Sequence, residues 1–142
     1  MSEKKYKIGY TTGVYDMFHI GHLNILKRAK EQCEYLVVGV STDELVQNYK
    51  NKTPIIPFEE RCEIVSAIRY VDKVVPQTTM DKMVAWEDIH FNALFHGDDW
   101  KGSNMYDEVE RNLSEHGVDV VFLPHTQGTS STLLSEKLHN IK

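Results

Sequence analysis

The chain has 142 residues, 41% of them hydrophobic and 26% charged, with a formal net charge of −5. That length suits one domain able to bury a core, and the composition excludes collagen, coiled coil and bulk disorder. No apolar run approaches the roughly 18 residues that cross a bilayer, and an acidic balance argues against nucleic acid or an anionic membrane as partner. In chain order, the charged first seven residues have no apolar stretch behind them, so no secretory leader is expected. Residues 7–12 read as a short strand. Residues 22–31 carry Leu23, Leu26 and Ala29 at helical spacing, with Ile25 beside them. Residues 35–40 (Tyr-Leu-Val-Val-Gly-Val) form a near-continuous apolar run, as a parallel strand covered on both faces does. A helix starts at Ser41 and Thr42 and fades by Tyr49. Residues 50–57 are a loop punctuated by Pro54 and Pro57. Residues 58–68 are helical, with Ile64, Val65 and Ile68 on one stripe. Residues 73–75 are a strand closed by Pro76, 81–89 a helix, and 93–96 a strand running into Gly97-Asp98-Asp99-Trp100. Residues 106–116 form a helix ended by Gly117. Residues 118–123 are the last strand and 130–140 the last helix.

Five strands alternating with helices predict a single α/β domain over residues 1–142, a doubly wound parallel sheet of five strands. In such folds ligands lie at the carboxyl ends of the strands, near a topological switch point. The two cysteines, Cys33 and Cys62, do not make a disulfide framework and read as small hydrophobes, and a reducing cytoplasm is the expected compartment. His90, His116 and His139 read as helix-end or surface residues, Trp86 as a packing residue, and His96 as a strand-end residue near the ligand region.

The residues after the first strand carry the chemistry. His19 and His22 sit three apart, with Gly21 between them, where a helix begins. A helix N-terminus offers N–H groups and partial positive charge to phosphate oxygens, and glycine lets backbone approach them. The spacing puts both imidazoles on one side of the first turn, and imidazole donates hydrogen bonds to phosphate whether neutral or charged. The plain alternative is a coincidental capping pair. A metal site lacks a third ligand at convincing spacing, so no protein-held metal is expected.

His19-Ile20-Gly21-His22 resembles the His-x-Gly-His signature of the nucleotidyltransferase superfamily, a Rossmann-like fold. Gly13-Val14-Tyr15-Asp16 is similar to that superfamily's Gly-Thr-Phe-Asp. Arg69-Tyr70-Val71-Asp72 and Gly97-Asp98-Asp99-Trp100 resemble segments of its cytidylyltransferase branch. His125-Thr126-Gln127-Gly128-Thr129-Ser130-Ser131-Thr132 resembles the Arg-Thr-Glu-Gly-Ile-Ser-Thr-Thr of the same branch. The likeness runs in order over nearly the whole chain. It departs at His125, where the branch has a permanently charged arginine, and at Gln127, where it has glutamate. Ser130-Ser131 also resembles the Ser-Ser motif of adenylyl-transferring relatives, which keeps ATP as an alternative to CTP.

The resemblance implies attack of a phosphomonoester on the α-phosphorus of CTP, with release of pyrophosphate. A small polyol phosphate, sn-glycerol 3-phosphate foremost, is the expected acceptor, with phosphocholine, phosphoethanolamine or another sugar-alcohol phosphate as alternatives. The nucleophile is already ionised near neutrality, so no catalytic base is required; the demand is for cations and N–H donors around two polyanions. His19, His22 and Lys52 are the implied catalytic residues. Thr12, Gly13, Val14, Tyr15, Gly97, Asp98, Trp100, His125, Thr126, Gly128, Thr129, Ser130 and Ser131 join them around the nucleotide. Asp16, Lys50, Arg61 and Lys82 are assigned to the acceptor. Several have plainer readings: a solvated basic loop for Lys50 and Lys52, a helical ion pair with Glu60 or its neighbours for Arg61, a turn cap for Asp16, core packing for Trp100, and an N-cap for Ser130. Mg²⁺ is expected on the nucleotide's own phosphates, and the resemblance implies a homodimer. A non-catalytic nucleotide sensor is the reading from another class; the intact histidine pair argues against it.

Overall fold

In a computed structural model, residues 4–97 and 104–124 are described, without the side chains of residues 104–106. The chain runs β1 (Tyr6–Gly13), α1 (Ile20–Gln32), β2 (Cys33–Ser41), α2 (Asp43–Lys50), α3 (Phe58–Ser66), β3 (Lys73–Gln77), α4 (Lys82–Ile89), β4 (Ala93–Gly97), α5 (Asn104–Ser114) and β5 (Asp119–Leu123). All four strand pairings are parallel and the sheet order is β3-β2-β1-β4-β5. The chain winds outward from β1 to β3, then crosses back to β4, so the switch point lies between β1 and β4. Gly13 and Gly97 end those two strands.

Strand alternation divides the apolar residues between two cores. Leu36, Val38 and Val40 of β2 and Ala93 and Phe95 of β4 pack on one face with Leu26 and Ala29 of α1 and Val65 of α3. Val37 and Leu94 face the other way, with Tyr10, Phe91 and Leu113, and Met83, Ala85 and Trp86 of α4 against them. The sheet is therefore sandwiched between helices, and its interior strands are buried on both sides, as their continuous apolar runs require. Among the described residues no helix is long and apolar enough to cross a membrane.

The elements expected from the sequence within the described residues are present, with three informative shifts. Helix α1 opens at Ile20, two residues before His22, because His19 itself is the N-cap. Strand β3 runs through Pro76 to Gln77, with Pro76 in register with Val40. This is tolerated because β3 is an edge strand, where a missing N–H can face away from the ladder. Helix α3 stops at Ser66, two residues short of the expected Ile68, with Ala67 as its C-cap. The expected last helix, 130–140, lies outside the described residues.

Candidate active site

Residues 14–19 join β1 to α1 at the switch point. Tyr15 and Met17 both have positive φ, 56° and 48°, a conformation that costs a non-glycine residue roughly 1 kcal/mol or more. Burial of Tyr15 holds the loop in this shape. Its ring is 5% exposed in the core, its hydroxyl hydrogen-bonds Thr11, and its edge meets the His22 ring at 5.4 Å between centroids. The Tyr15 side chain, expected beside the nucleotide, is thus a core support. Gly13 leaves room for it: a Cβ there would lie 3.0 Å from the ring.

His19 and His22 form a reciprocal capping box. The Gly21 N–H donates to His19 Nδ1 at 3.0 Å and the His19 N–H donates to His22 Nδ1 at 3.2 Å. The rings stack, with centroids 3.9 Å apart and planes 26° from parallel. The plain reading of the pair, that it caps a helix, is therefore correct, and it also prepares the rings for a ligand. Because each Nδ1 accepts a backbone N–H, each neutral ring carries its proton on Nε2. Burial, reinforced by His19 alongside and opposed by Asp16, pushes His22 down to about 3. Burial lowers His19 as well. Both rings are thus neutral Nε2–H donors near pH 7. His19 Nε2 is buried and has no hydrogen-bond partner among the described residues, a costly state for a polar atom unless a ligand completes it.

A second polar centre lies at the ends of β1, β2 and β3. Lys82, the first residue of α4, is only 2% exposed. Its Nζ donates to Thr12 Oγ1 at 3.1 Å and to Gln77 Oε1 at 2.5 Å, and Gln77 Nε2 donates to Ser41 Oγ at 2.9 Å. Burial pulls the lysine down to about 8, against the opposing pull of Asp81. Both of these ammonium hydrogen bonds go to neutral oxygens, and the helix it begins presents its positive dipole end. His96, at the end of β4, is pushed to about 3 by burial and then by the Lys82 charge. Its Nδ1 accepts the Gly97 N–H at 3.1 Å.

Two acceptor-site expectations need correction. Arg61 is fully buried and is not turned to a phosphate. Its Nε donates to Ile56 O at 2.8 Å, its Nη1 to Val14 O and Ser41 O at 2.7 and 2.8 Å, and its Nη2 to Asp43 Oδ1 at 2.5 Å. Nor is its ion pair with Glu60, because Asp43 is the partner. Asp16 accepts the Ile55 and Ile56 N–H groups, one on each carboxylate oxygen, both at 2.9 Å. It thereby caps the lysine-bearing loop. Lys50, the last residue of α2, lies 5.5 Å from the centroid of the Tyr49 ring, and Lys52 is exposed beyond the left-handed C-cap Asn51. Among the described residues no group of three or more His, Cys, Asp or Glu is disposed to hold a metal.

The described structure therefore brings Thr12, Gly13, Val14, Tyr15, Asp16, His19, His22, Lys82 and Gly97 to the carboxyl ends of the strands. Asp98, Trp100, His125, Thr126, Gly128, Thr129, Ser130 and Ser131 lie outside the described residues. Gln77, the partner of Lys82, and Ser41, to which Gln77 donates in turn, are not among the residues expected from the sequence. Reading Pro76 as the strand's end hid Gln77, which is the last residue of β3. Trp86 packs between His90 and His116, with ring centroids 4.6 and 4.4 Å away.

Comparison with known proteins follows the same lines. A model of the cytidylyltransferase-like family matches residues 10–137. The chain is 36% identical over 129 residues to the glycerol-3-phosphate cytidylyltransferase of Bacillus subtilis, covering 90% of this chain and 94% of that one. It is 33% identical over 150 residues to the FAD synthase of Thermococcus kodakarensis, covering 99% and 96%. Among solved structures, a lipopolysaccharide core biosynthesis protein of Thermoplasma volcanium superposes with a TM-score of 0.72 at 25% identity, over 87% of this chain and 99% of that one.

Proposed function

The chain belongs to the cytidylyltransferase-like family, and from that premise we propose that it transfers the cytidylyl group of CTP to a small polyol phosphate, sn-glycerol 3-phosphate foremost. An oxygen of the phosphomonoester attacks the α-phosphorus. A new P–O bond forms there, the bond to the bridging oxygen breaks, and pyrophosphate leaves with that electron pair. The observation that carries this reading is the histidine pair, whose Nδ1 atoms are both bound to backbone N–H groups. Two preorganised Nε2–H donors then meet the charge that builds on the α-phosphate and leaving group, at no cost in reorganisation. Lys52 supplies a mobile cation to the nucleotide from the neighbouring loop.

Lys82 and Lys50 serve the acceptor in this reading. A buried ammonium held by Thr12 and Gln77 favours a phosphate dianion over a neutral alcohol, because the incoming charge offsets the desolvation that burial imposes. Magnesium enters as part of the nucleotide substrate, on its phosphate oxygens.

Adenylyl transfer from ATP is the competing chemistry, and the FAD synthase relative favours keeping it in the test. The deciding experiment is a pyrophosphate-release screen of four nucleoside triphosphates against about a dozen phosphate esters, with glycerol, choline, ethanolamine and flavin phosphates among them. Selective turnover of CTP with glycerol phosphate supports the proposal. Turnover of ATP alone replaces the nucleotide assignment, and CTP binding with no turnover in any pairing favours a sensor.

A further inference from the structure

We infer that Asp16 and Arg61 are positioning residues, which brace the lysine-bearing loop against the histidine loop and so set where Lys52 stands relative to His19 and His22. The inference rests on the proposed reaction for its kinetic consequence, but not for its geometry.

Asp16 lies three residues before His19, and Ile55 lies three residues after Lys52. The two Asp16 oxygens hold the Ile55 and Ile56 amides at 2.9 Å. One carboxylate thus links the two segments, leaving three residues, at most about 10 Å of chain, on either side. Residues 51–53 are all exposed, and Asn51 and Thr53 bond back to Gln47 of α2, so the tie on the downstream side comes from Asp16. Arg61 supplies the second tie. Its guanidinium joins four segments: Val14 before the histidines, Ser41 at the end of β2, Asp43 at the start of α2, and Ile56 in the lysine loop. Asp43 in turn accepts the Phe58 N–H at 3.4 Å. Each loop's shape is therefore specified partly by the other, and the pair behaves as one rim. A cation on an exposed flexible stem is useful in catalysis only if its backbone is held, since a misplacement of about 1 Å can cost on the order of 100-fold in rate.

The test is a double-mutant cycle between Asp16→Ala and Lys52→Ala, alongside limited trypsin digestion. Trypsin cuts after Lys50 and Lys52, so it reports directly on the loop. The expected result is cleavage there at least about tenfold faster in Asp16→Ala, with the cooperative thermal transition retained. The kcat should fall on the order of tenfold or more while the KM for CTP changes less. The Asp16→Ala loss should nearly vanish in the Lys52→Ala background, because a misplaced lysine and an absent one are equivalent. Should Asp16→Ala fail to fold, Asp16→Asn keeps one acceptor oxygen and gives an intermediate effect. Unchanged trypsin cleavage, or losses that multiply, would overturn the brace and return Asp16 to substrate contact. If the wild-type protein turns over no phosphate ester, the proposed function fails, and the cycle is run on CTP affinity instead. Coupling there with faster cleavage still supports the brace, and its absence overturns it.

Discussion

Replacing Lys82 with methionine removes a buried ammonium without greatly changing side-chain volume, and its effect can be worked out before it is measured. The folded-state pKa is about 8, against about 10.4 for a lysine in the unfolded chain. Between those values the unfolded chain holds a proton that the native protein has released, so native stability rises with pH. The gain is about 1 kcal/mol between pH 8 and 9. From about pH 8 the two cysteines oppose this gain. Burial holds the Cys33 and Cys62 thiols up, so the unfolded chain then loses thiol protons that the native one keeps, which lowers stability. Urea unfolding at pH 7, 8 and 9 should show the wild-type protein gaining about 1 kcal/mol on Lys82→Met between pH 8 and 9, a difference in which the histidine and thiol contributions cancel. The hydrogen bonds lost to Thr12 and Gln77 are the same at each pH and drop out of the comparison. A phosphate ester bound beside the ammonium should pull its pKa back up. At pH 8, where the lysine is about half protonated, binding of glycerol phosphate should then draw up to about half a proton from the buffer. Identical slopes in the two proteins would refute the buried charge. Proton uptake with CTP but not with the ester would move Lys82 to the nucleotide.

Three other outcomes follow from the geometry. His19→Ala and His22→Ala should each lower kcat by about 100- to 1000-fold while weakening CTP binding far less, as equilibrium titration and steady-state kinetics will separate; equal losses would mean the rings bind only the ground state. On acidification, His22 and His96 resist protonation in the native protein, with both values near 3, while the unfolded chain protonates near 6.5. Stability should therefore fall by about 3 kcal/mol from pH 6.5 to 5, and saturating CTP should reduce that loss; denaturant titrations over this range check both. Gly9→Ala puts a methyl 2.6 Å from Phe95 Cε2 and 2.8 Å from Cys33 Sγ in the middle of the sheet. Overpacking of that kind costs about 1–3 kcal/mol, read as a drop in Tm, and an unchanged Tm would mean the sheet yields at that point.

The architecture was legible because each strand reads as a compact apolar run and each helix as a spaced stripe, and the alternation of the two leaves little choice of fold. The site was legible only in part, for reasons that differ by residue. The histidine pair was visible as a motif, but not its internal bonding. Capping is the plain reading of the pair, but serine, threonine, aspartate and asparagine are the usual N-caps, so nothing local announces that each Nδ1 would accept a backbone N–H and that His22 would return the bond. Proline usually ends a strand, and that rule hid Gln77, because whether β3 lies at an edge is a property of the sheet order and not of residues 73–77. Arg61 and Asp16 failed in a common way. Charge type marks a residue as suitable for phosphate or for substrate, but their partners are far off in sequence, Val14 for the one and Ile55 and Ile56 for the other. A single sequence carries no signal of such pairings.

These assignments share a physical logic. A site that must admit two polyanions cannot simply be filled with charge, because unpaired cations buried in the empty protein would each cost several kcal/mol. The donors nearest the switch point are accordingly neutral: His19 and His22 offer N–H groups and are held uncharged by burial. Full charge is kept where water can screen it, on the exposed Lys52. Arg61 is the permanent cation that could not be neutralised, and it is given Asp43 and three carbonyls and set to join loops. Among the described residues Lys82 alone is a buried cation with neutral partners, and a lysine can tolerate this where an arginine cannot, because its pKa can fall. Its position in that scheme is why its titration, more than that of any other described group, reports whether an anion belongs beside it.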